Sequence, residues 1–456
     1  MRAVVALGAN IGDRARTIGR AMRKLERYGT LEASASLYES AAAYVTAQPP
    51  FLNTVCALRS SLPPLELLRA LKGIELELGR VPRERWGPRE IDLDLLLYGD
   101  VAMSSDELEL PHPRLTERDF VLQPLAELAP ELLHPVLGRT VGELERALGG
   151  ERLTRVAAVG GGVWRWGGGT RLAGVINATP DSFSDGGECE ALEDAVRRGL
   201  AMQEAGADLI DVGAQSTRPG AQPVSPEEEL KRAAPVVRGL RERGLHLPIS
   251  VDTFYAQVAE ELIACGASMI NDISGGTYDS QMLPTIARLG VPSVLMHMRG
   301  TPQTMQQLAS YQDVVAETRA ELHARMVAAQ AAGVRRWNLI ADVGIGFAKS
   351  HQHNLALLRG VHRFGRGTPT QGSVLSGKLG EAGGLGLPLL VGVSRKSFIG
   401  ALLGGVPPKQ RGWGTAAACA ACIPHADLLR VHDVAEIKQV VLVADAIHRQ
   451  LSDSAL

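Results

Sequence analysis

The feature that most constrains the fold is a strand–turn–helix pattern that repeats through residues 171–431. Short apolar segments alternate with segments of helical length and mixed polarity, such as 226–243 and 311–332. Eight such units in about 280 residues predict a (β/α)8 TIM barrel within an α/β chain, with a doubly wound sheet as the alternative. The predicted strands are 172–176, 209–212, 248–251, 268–270, 293–296, 338–341, 389–393 and 428–431.

A domain boundary is predicted near residues 150–160. Residues 1–150 end in an apolar helix-like run, and clusters of glycine follow, which punctuate or link structural elements. The segment 151–170 is expected to be a linker and a hairpin that belong to the second domain, 151–456. The segment 365–386 contains eight glycines and few bulky apolar residues, so we expect a flexible surface insertion there.

Polar residues follow nearly every predicted barrel strand, at the end where barrel enzymes place their catalytic groups. Any one of them could be a helix N-cap or a turn residue, but the set indicates a polar ligand above the barrel. The carboxylates and amides suit a flat, nitrogen-rich heterocycle, and the cations, which include Arg218, suit phosphate groups. The strand-end residues are Asn177, Asp211, Asp252, Asn271, Asp272, His297, Asp342, Lys396, Arg430 and His432.

Two carboxylates of the first domain, Asp92 and Asp94, begin a strand-like run just after Arg85 and Arg89. Side chains two residues apart on a strand point to the same side of the sheet. Paired carboxylates can hold Mg²⁺ that bridges phosphate oxygens, and arginines can neutralise a transferring phosphate. An Asp-x-Asp pair alone usually means a solvated edge, but the arginines and the glycine-proline turn at 87–88 favour Mg²⁺–nucleotide chemistry.

The second domain resembles the dihydropteroate synthases over roughly residues 160–450. The resemblance rests on the stretch 174–187 and on the motifs 216–220 (Ser-Thr-Arg-Pro-Gly) and 393–397 (Val-Ser-Arg-Lys-Ser), in family order. It implies a barrel that condenses dihydropterin pyrophosphate with p-aminobenzoate by a dissociative mechanism and releases pyrophosphate.

The same resemblance implies a role for each matching residue. The pterin would contact Asp252, Asn271, Met296, Asp342, Phe347 and Lys396; pyrophosphate would contact Asn177 (with Mg²⁺), Arg218, Arg430 and His432; two mobile loops and a neighbouring serine would enclose p-aminobenzoate with Phe183, Asp185, Thr217, Arg218, Pro219 and Ser397.

Residues 1–150 resemble the 6-hydroxymethyl-7,8-dihydropterin pyrophosphokinases. The matching segments, in order, are 8–10, 51–53, Glu75, 79–80, 85–97, 110–113 and 118–120. The resemblance implies a ferredoxin-like α+β fold and ATP-dependent pyrophosphorylation of the pterin alcohol. By this resemblance Asp92 and Asp94 would bind Mg²⁺, Glu75, Arg80, Arg89, His112 and Arg118 would contact ATP, and Asn53 and Phe120 would contact the pterin.

Three positions depart from the family patterns. Residues 40–43 (Ser-Ala-Ala-Ala) lack the usual Thr-x-Pro character of a pterin-flanking loop, although Ser40 could still donate a hydrogen bond. Pro82 stands where a second arginine is common, with Arg83 as a substitute, and Gln215 stands where many relatives carry glutamate.

Composition excludes several other classes of protein. A net charge of −2 argues against non-specific nucleic-acid binding. There is no apolar run of 18 residues and no leader-like start, so we expect neither a membrane span nor secretion, and a cytoplasmic location. The five cysteines show no disulfide or zinc pattern; Cys419 and Cys422 are expected to be buried in a helix. The arginines of 14–28 are expected to form the solvated face of a packing helix.

The sequence therefore predicts a bifunctional enzyme of folate synthesis that uses ATP and Mg²⁺. Pairing of two chains through the barrel is expected from the resemblance. Two alternatives stay open: a pterin-binding methyltransferase-type barrel, and a chain in which one domain is catalytically silent and serves as a scaffold.

Overall fold

A computed structural model of the protein describes residues 1–43, 47–84, 86–149, 152–178, 187–366, 373–377, 379 and 384–449. The chain forms two compact units. The first comprises Met1–Arg165, Arg335–Trp337 and Pro369–Ala382, and the second comprises Trp166–Val334, Asn338–Thr368 and Gly383–Leu456.

The first unit is a ferredoxin-like α+β fold, as predicted. Its main sheet has the strand order β5-β1-β4-β3-β8-β9, with β2 also paired to β4, and all its pairings are antiparallel. The strands are β1 (Arg2–Ala9), β2 (Thr30–Ser34), β3 (Leu37–Ser40), β4 (Phe51–Arg59), β5 (Asp92–Tyr98), β8 (Thr154–Val159) and β9 (Gly162–Arg165), with a separate ribbon of β6 (Met103–Ser104) and β7 (Glu109–Leu110). The helices are α1 (Arg14–Leu25), α2 (Pro64–Glu77), α3 (Asp119–Leu128) and α4 (Val141–Leu148).

Helix α1 is an ordinary packing helix, as its sequence pattern indicates. The Asp13 side chain caps its first turn by accepting a hydrogen bond from the Arg16 backbone N–H at 3.1 Å. Its apolar stripe is buried against the sheet, and its arginines at 16, 20 and 23 are exposed. The buried residues are Ala15, Ile18, Ala21, Met22 and Leu25.

The predicted hairpin forms, but its assignment to the second domain was wrong. Strand β8 pairs with β3 of the first unit, from Leu37 opposite Val156 to Glu39 opposite Thr154, and β9 pairs with β8. The physical reason is the free edge of β3, which accepts an antiparallel strand from the chain that follows α4. The first unit therefore extends to Arg165 instead of ending at residue 150.

The glycine-rich segment 365–386 also differs from its prediction where the structure describes it. Ser373 is buried and donates a hydrogen bond to the Leu128 carbonyl at 3.2 Å, and the Leu375 backbone N–H donates to the same carbonyl at 2.9 Å. Val374 and Leu375 pack against an apolar cluster of the first unit. Two apolar residues among the glycines are therefore enough to fix this part of the segment on α3.

The second unit is a closed eight-stranded parallel barrel, as predicted. Each strand pairs with its neighbours in chain order, and the first also pairs with the last, which excludes the open doubly wound sheet. The strands are β10 (Arg171–Asn177), β11 (Leu209–Gly213), β12 (Ile249–Asp252), β13 (Met269–Asp272), β14 (Ser293–Met296), β15 (Leu339–Asp342), β16 (Leu389–Val391) and β17 (Leu428–Val431).

Helices follow the strands of the barrel in alternation. They are α5 (Gly187–Glu204), α6 (Pro226–Glu242), α7 (Ala256–Ala264), α8 (Met282–Leu289), α9 (Val314–Ala331), α10 (His351–Arg359), α11 (Ser397–Leu402), α12 (Gly412–Cys422) and α13 (Val434–His448). Single 3₁₀ turns occur at Leu115–Glu117, Met305–Leu308, Arg336–Asn338, Val361–Arg363 and Pro408–Gln410. Cys419 and Cys422 are buried free thiols of α12, as expected. Within the described ranges, no helix is long and apolar enough to cross a membrane.

Candidate active sites

The first unit contains two adjoining cavities that share one wall. One cavity is lined mainly by the sheet and includes Asn53 and Phe120. The other is strongly basic and includes Lys72, Arg80 and His112. The wall common to both is formed by Trp86, Arg89, Asp92, Asp94 and Arg118. A flat ligand in the first cavity and a polyanion in the second would therefore meet at the two carboxylates.

Asp92 and Asp94 lie on one face of β5, as the strand period predicts. Asp92 accepts hydrogen bonds from Arg80 Nη1 at 2.7 Å and from Arg89 Nη1 at 2.9 Å. Burial pushes the pKa of Asp92 upwards, but the neighbouring cations outweigh it and hold this pKa below its ordinary value. Asp94 is paired more loosely, with its oxygens 3.8 Å from Arg118 and 3.9 Å from Lys72. Asp94 can therefore accept a new ligand with little disruption.

Glu75 does not line either cavity, which differs from the role that the resemblance implies. One of its oxygens accepts from the Leu93 backbone N–H at 2.7 Å and from Lys72 Nζ at 2.8 Å. The other lies 2.5 Å from Arg80 Nη1. Because Glu75 is buried behind the cavity wall, it positions Lys72 and Arg80 instead of contacting a ligand itself.

The two departures in the first unit are both compensated locally. Asn53 donates a hydrogen bond to Ser40 Oγ at 2.9 Å, so Ser40 orients the amide that faces the sheet cavity. Arg83 lines the basic cavity, as expected for a substitute at Pro82, and it donates to Glu90 at 2.6 Å. Phe120 lies beside the Arg118 guanidinium, 5.5 Å from ring centroid to Cζ. Arg85 lies outside the described residues.

At the carboxyl ends of the barrel strands, four polar residues form one hydrogen-bonded cluster. Arg430 donates from Nε to Asp211 Oδ2 at 2.6 Å and from Nη2 to Asp252 Oδ2 at 2.8 Å. Asn271 donates to the same oxygen of Asp211 at 3.3 Å. The remaining oxygens, Asp211 Oδ1 and Asn271 Oδ1, are buried and have no hydrogen-bond partner in the described part of the chain. A ligand that carries N–H donors would satisfy both.

A second group beside this cluster combines an apolar surface with a cation. Lys396 Nζ lies 4.3 Å from the centroid of the Phe347 ring, and Phe347 shares an apolar cluster with Met296. Asp342 accepts a hydrogen bond from the Gly344 backbone N–H at 2.8 Å. Gly346 has a positive φ of 84°, and a Cβ there would lie 3.2 Å from Lys396, so glycine allows this close approach. These residues come from three strand ends and form one surface.

Burial shifts the pKa values of the ionisable side chains on this surface towards 7. It raises the pKa of Asp252 to about 7 against the attraction of Arg430, and it raises that of Asp342 to about 6. Burial, assisted by Arg430, lowers the pKa of Lys396 to about 8. Such values favour groups that exchange or share protons with a ring system near neutral pH.

The remaining predicted residues lie around the same end of the barrel. His432 bonds to Ser394 Oγ at 2.9 Å through Nδ1, and burial lowers its pKa to about 4. Asn177 ends β10 and is half-buried, and Ser397 is exposed at the start of α11. Phe183 and Asp185 lie outside the described residues.

The second of the two predicted loops, residues 216–224, is bonded to its surroundings. The Gly220 backbone N–H donates to the Pro302 carbonyl at 2.9 Å, and Tyr255 Oη donates to the Val224 carbonyl at 3.0 Å. Thr217 is half-buried on this loop, while Arg218 and Pro219 are exposed. At its base, Gln215 donates to buried Glu229 at 2.7 Å. The Gln215 amide therefore makes a hydrogen bond, without adding a charge, at the position where many relatives carry glutamate.

Asp211 is a site residue to which the sequence analysis gave no role. Its position at a strand end was the available signal, but only the structure shows that it joins Arg430 to Asn271. Lys72 and Trp86 of the first unit were likewise missed. Lys72 lies on a helix 20 residues before Asp92, and nothing in its local sequence marks it.

Comparisons with known proteins identify a family for each unit. Residues 4–130 match the family model of 7,8-dihydro-6-hydroxymethylpterin-pyrophosphokinase, and residues 173–432 match that of pterin binding enzymes. The folate synthesis bifunctional protein of Pisum sativum is 40% identical over 98% of this chain and 90% of its own length. The folic acid synthesis protein fol1 of Schizosaccharomyces pombe is also 40% identical over 98% of the chain, which spans 59% of that longer protein.

Solved structures give the same result. A dihydropteroate synthase of Xanthomonas albilineans with 4-aminobenzoic acid is 40% identical, covers 65% of this chain and 98% of its own, and has a TM-score of 0.56. The HPPK-DHPS of Plasmodium falciparum with pteroate is 21% identical, covers 98% of both chains and has a TM-score of 0.76, which shows a shared two-domain fold.

Neither a methyltransferase-type barrel nor a silent scaffold domain is favoured by these matches, because each unit matches an enzyme family in its own right. The chain belongs to the bifunctional folate-synthesis enzymes, which join a 6-hydroxymethyl-7,8-dihydropterin pyrophosphokinase to a dihydropteroate synthase.

Proposed function

We propose that the first unit binds the pterin alcohol in the sheet cavity and ATP in the basic cavity. The observation that carries this is the common wall, where Asp92 and Asp94 separate the two cavities. Asn53 and Phe120 orient the pterin, and Arg80, Arg89, His112 and Arg118 contact the phosphates or the nucleoside. The hydroxyl oxygen of the pterin attacks the β-phosphorus of ATP, AMP leaves, and the diphosphate remains on the pterin.

The two carboxylates fit Mg²⁺. Within the described ranges, no group of three or more His, Cys, Asp or Glu side chains is placed to hold a metal ion. Mg²⁺ commonly binds through one or two carboxylates together with substrate phosphates and water, and a pair of aspartates beside a phosphate cavity suits this mode. When bound, the ion supplies positive charge to the phosphate oxygens. Asp92 and Asp94 hold it, while the surrounding arginines orient the polyphosphate.

The second unit, in the same proposal, binds the dihydropterin on the cluster at the barrel end. Asp252, Asn271, Asp342 and Lys396 bond to its heteroatoms, and Met296 and Phe347 cover its faces. The two unpaired oxygens of Asp211 and Asn271 support this assignment, because the amino and ring N–H groups of a pterin are donors.

Condensation then proceeds by departure of pyrophosphate. The methylene–oxygen bond breaks first, and the cations Arg218 and Arg430, with hydrogen bonds from the His432 imidazole and the Asn177 amide, stabilise the leaving diphosphate. Asn177 is an oxygen ligand of the kind that Mg²⁺ accepts. The amine of p-aminobenzoate then attacks the methylene carbon and loses its proton. Thr217, Pro219 and Ser397 enclose this amine and exclude water.

One experiment tests both steps together. The purified chain is given 6-hydroxymethyl-7,8-dihydropterin, ATP, MgCl₂ and p-aminobenzoate, and dihydropteroate is measured by chromatography. We expect product that depends on every component, and a mixture with dihydropterin pyrophosphate but no ATP should also form it. If the second mixture reacts and the first does not, the kinase assignment fails; if neither reacts, the synthase assignment fails.

We also propose a homodimer through the barrel unit. Large apolar side chains stand exposed on consecutive helices: Leu402 (65% exposed), Trp413 (90%), Leu442 (56%), Val443 (62%) and Ile447 (71%). A second copy of the chain is the occupant we expect, because α12 packs on α13 and the exposed apolar side chains of the two helices can pair with the same patch of another copy. Light scattering should give a dimer mass for the native chain and a monomer for Val443→Glu/Ile447→Glu. A monomeric native chain at 10 µM would contradict this.

A cytoplasmic location remains part of the proposal. The described cysteines Cys56, Cys265, Cys419 and Cys422 are free thiols, as in a reducing compartment. Two plant relatives carry the word mitochondrial in their names, so an organelle is the competing location. Cell fractionation followed by immunodetection decides between them.

A further inference from the structure

A hydrogen-bonded series of side chains runs from buried Lys349 through buried His297 to the partly exposed Glu321, next to the loop that carries Phe347. The proposed mechanism does not use it. Lys349 is 3% exposed, and its Nζ lies 3.0 Å from His297 Nδ1. His297 is fully buried, and its Nε2 lies 2.9 Å from Glu321 Oε2. Glu321 in turn accepts hydrogen bonds from Arg299. A buried lysine held by a buried histidine is costly to maintain, so its contacts call for an explanation.

The hydrogen bonds fix the direction of this series. The hydrogen bonds from His297 and Arg299 lower the pKa of Glu321 to about 2, so its carboxylate only accepts. His297 therefore carries its hydrogen on Nε2 and donates to Glu321, and its Nδ1 accepts from Lys349 Nζ. Burial, with the nearby charge of Lys349, lowers the pKa of His297 to about 3, in keeping with a neutral ring. Lys349 Nζ also donates to two carbonyls, that of Phe347 at 2.9 Å and, more weakly, that of His297 at 3.5 Å.

The loop that these bonds hold has a strained backbone. Ala348 has a φ of 50°, in the left-handed region that a residue with a Cβ rarely adopts. Its own carbonyl accepts a hydrogen bond from Tyr311 Oη at 3.0 Å. Lys349 and Tyr311 therefore bind the carbonyls on the two sides of the strained residue. Without Lys349, Ala348 can relax to negative φ, and this relaxation displaces the Phe347 ring.

The position of Phe347 matters because its ring lies 4.3 Å from Lys396 Nζ at the pterin-facing surface. We infer that Lys349, braced by His297 and Glu321, is a positioning residue that sets the Phe347 ring against Lys396 and so completes one wall of the pterin site. This inference deepens the proposed synthase function and rests on it for the identity of the ligand. The geometry of the loop itself does not depend on that function.

The test compares Lys349→Met with Lys409→Met, which removes an exposed lysine charge from the same unit. We expect the KM for dihydropterin pyrophosphate to rise about tenfold in Lys349→Met while kcat changes less than twofold, because a binding wall is lost and the reacting groups remain. Lys409→Met should match the wild type. A role only in stability would lower the active fraction, and hence kcat, and leave KM unchanged; that result would overturn the inference.

A double-mutant cycle shows whether Lys349 acts through the ring. On a Phe347→Leu background, Lys349→Met should raise KM less than twofold further, because the ring that it positions is gone. A full additive tenfold effect would overturn the inference. If Lys349→Met fails to fold, Glu321→Gln replaces it in the test. Glu321 is partly exposed, and its substitution weakens the hydrogen bond to His297 in the same series of side chains, so a threefold rise in KM is expected.

The crystal structure of the ligand-free Lys349→Met chain separates this inference from the proposed function. Ala348 at negative φ with the Phe347 ring moved away from Lys396 is the expected result, whether or not the chain makes dihydropteroate. An unchanged loop would overturn the positioning role even if the synthase assignment holds. Absence of synthase activity in the wild type, with a displaced loop in the variant, would overturn only the proposed ligand.

Discussion

At the scale of single residues, the barrel site is a set of buried ionisable groups whose charges balance. Arg430 binds two carboxylates at once, and burial raises its neighbour Asp252 to a pKa of about 7. Burial shifts the pKa of Lys396 in the opposite direction, down to about 8. Because Asp252 and Lys396 titrate near neutral pH, each can change its proton as a ligand arrives.

Lys396→Ala should reduce condensation by at least a hundredfold and leave the barrel folded. The substitution removes the cation that lies over Phe347 on the proposed pterin surface, but Lys396 is half-buried at the start of α11 and supports little packing. Steady-state synthase assays measure the rate, and circular dichroism on heating measures the fold. Phe398 is the neighbouring core residue, so Phe398→Ala provides the contrast of lost stability. A wild-type rate in Lys396→Ala would remove the lysine from the site.

Glu229→Gln should stabilise the chain increasingly as pH rises from 5 to 8. Burial raises the pKa of Glu229 from 4.5 to about 8. Between these values the folded chain holds a proton that the unfolded chain has lost, so the free energy of unfolding of the wild type falls as pH rises. The glutamine keeps a hydrogen-bonding amide beside Gln215 and does not ionise. The gain should be on the order of 2–4 kcal/mol at pH 8.

The measurement is chemical denaturation of both chains at pH 5, 6, 7 and 8. Glu227→Gln serves as the matched control, because Glu227 is an exposed glutamate on the first turn of the same helix. A difference between Glu229→Gln and wild type that stays constant over this range would mean that Glu229 is ionised in the folded chain.

At the scale of elements, the boundary between the units was the point where sequence reasoning failed. The hairpin β8–β9 was correctly predicted as a hairpin, because alternation and glycine turns are local signals. Its partner was not predictable, since pairing with β3 depends on which sheet edge lies open. The same holds for Val374 and Leu375, whose packing on α3 has no local signature.

Val156→Ala should lower the stability of the first unit by about 2 kcal/mol, the usual cost of truncating a buried aliphatic side chain. Val156 is 1% exposed and lies opposite Leu37 across the β8–β3 pairing. Thermal denaturation measures the change, with the loss of pyrophosphokinase activity as the signal that the first unit has unfolded. Val136→Ala is the control, because Val136 is 62% exposed. Equal behaviour of the two variants would place the hairpin outside the first unit's core.

At the scale of the whole molecule, each active site is built within one unit. The carboxylates proposed for the kinase site belong to β5, and the cluster proposed for the synthase site belongs to the barrel strands β11, β12, β13 and β17. The apolar cores of the first unit likewise form within that unit. The two reactions should therefore be separable by substitution.

Asp92→Asn should abolish pyrophosphorylation of the pterin alcohol by at least a hundredfold and leave the synthase step unchanged. The asparagine side chain keeps the size of the aspartate but loses the charge that binds Arg80 and Arg89 and that is proposed to hold the metal ion. Separate assays with the pterin alcohol plus ATP and with dihydropterin pyrophosphate plus p-aminobenzoate measure the two steps. Asp106→Asn, an exposed aspartate of the same unit, is the control. Retained kinase activity in Asp92→Asn would refute the proposed metal role.

Sequence alone predicted the barrel from its strand period, the kinase fold from a family resemblance, and most of the polar residues of the candidate sites. Strand period, helical length and the residue that follows each strand are local properties, and a closed parallel barrel brings all its strand ends to one side. Asp252, Asn271 and Arg430 were identified in this way.

Only the tertiary structure decided which of these side chains are in contact, including contacts between residues of different helices and strands. Examples are the bond between Arg430 and Asp211, the position of Glu75 behind the cavity wall, and the bond between Lys349 and His297. Each depends on burial and on distances between residues remote in the chain. Such contacts follow from three-dimensional packing, because the energy of a buried charge is set by its neighbours in space, whatever their place in the sequence.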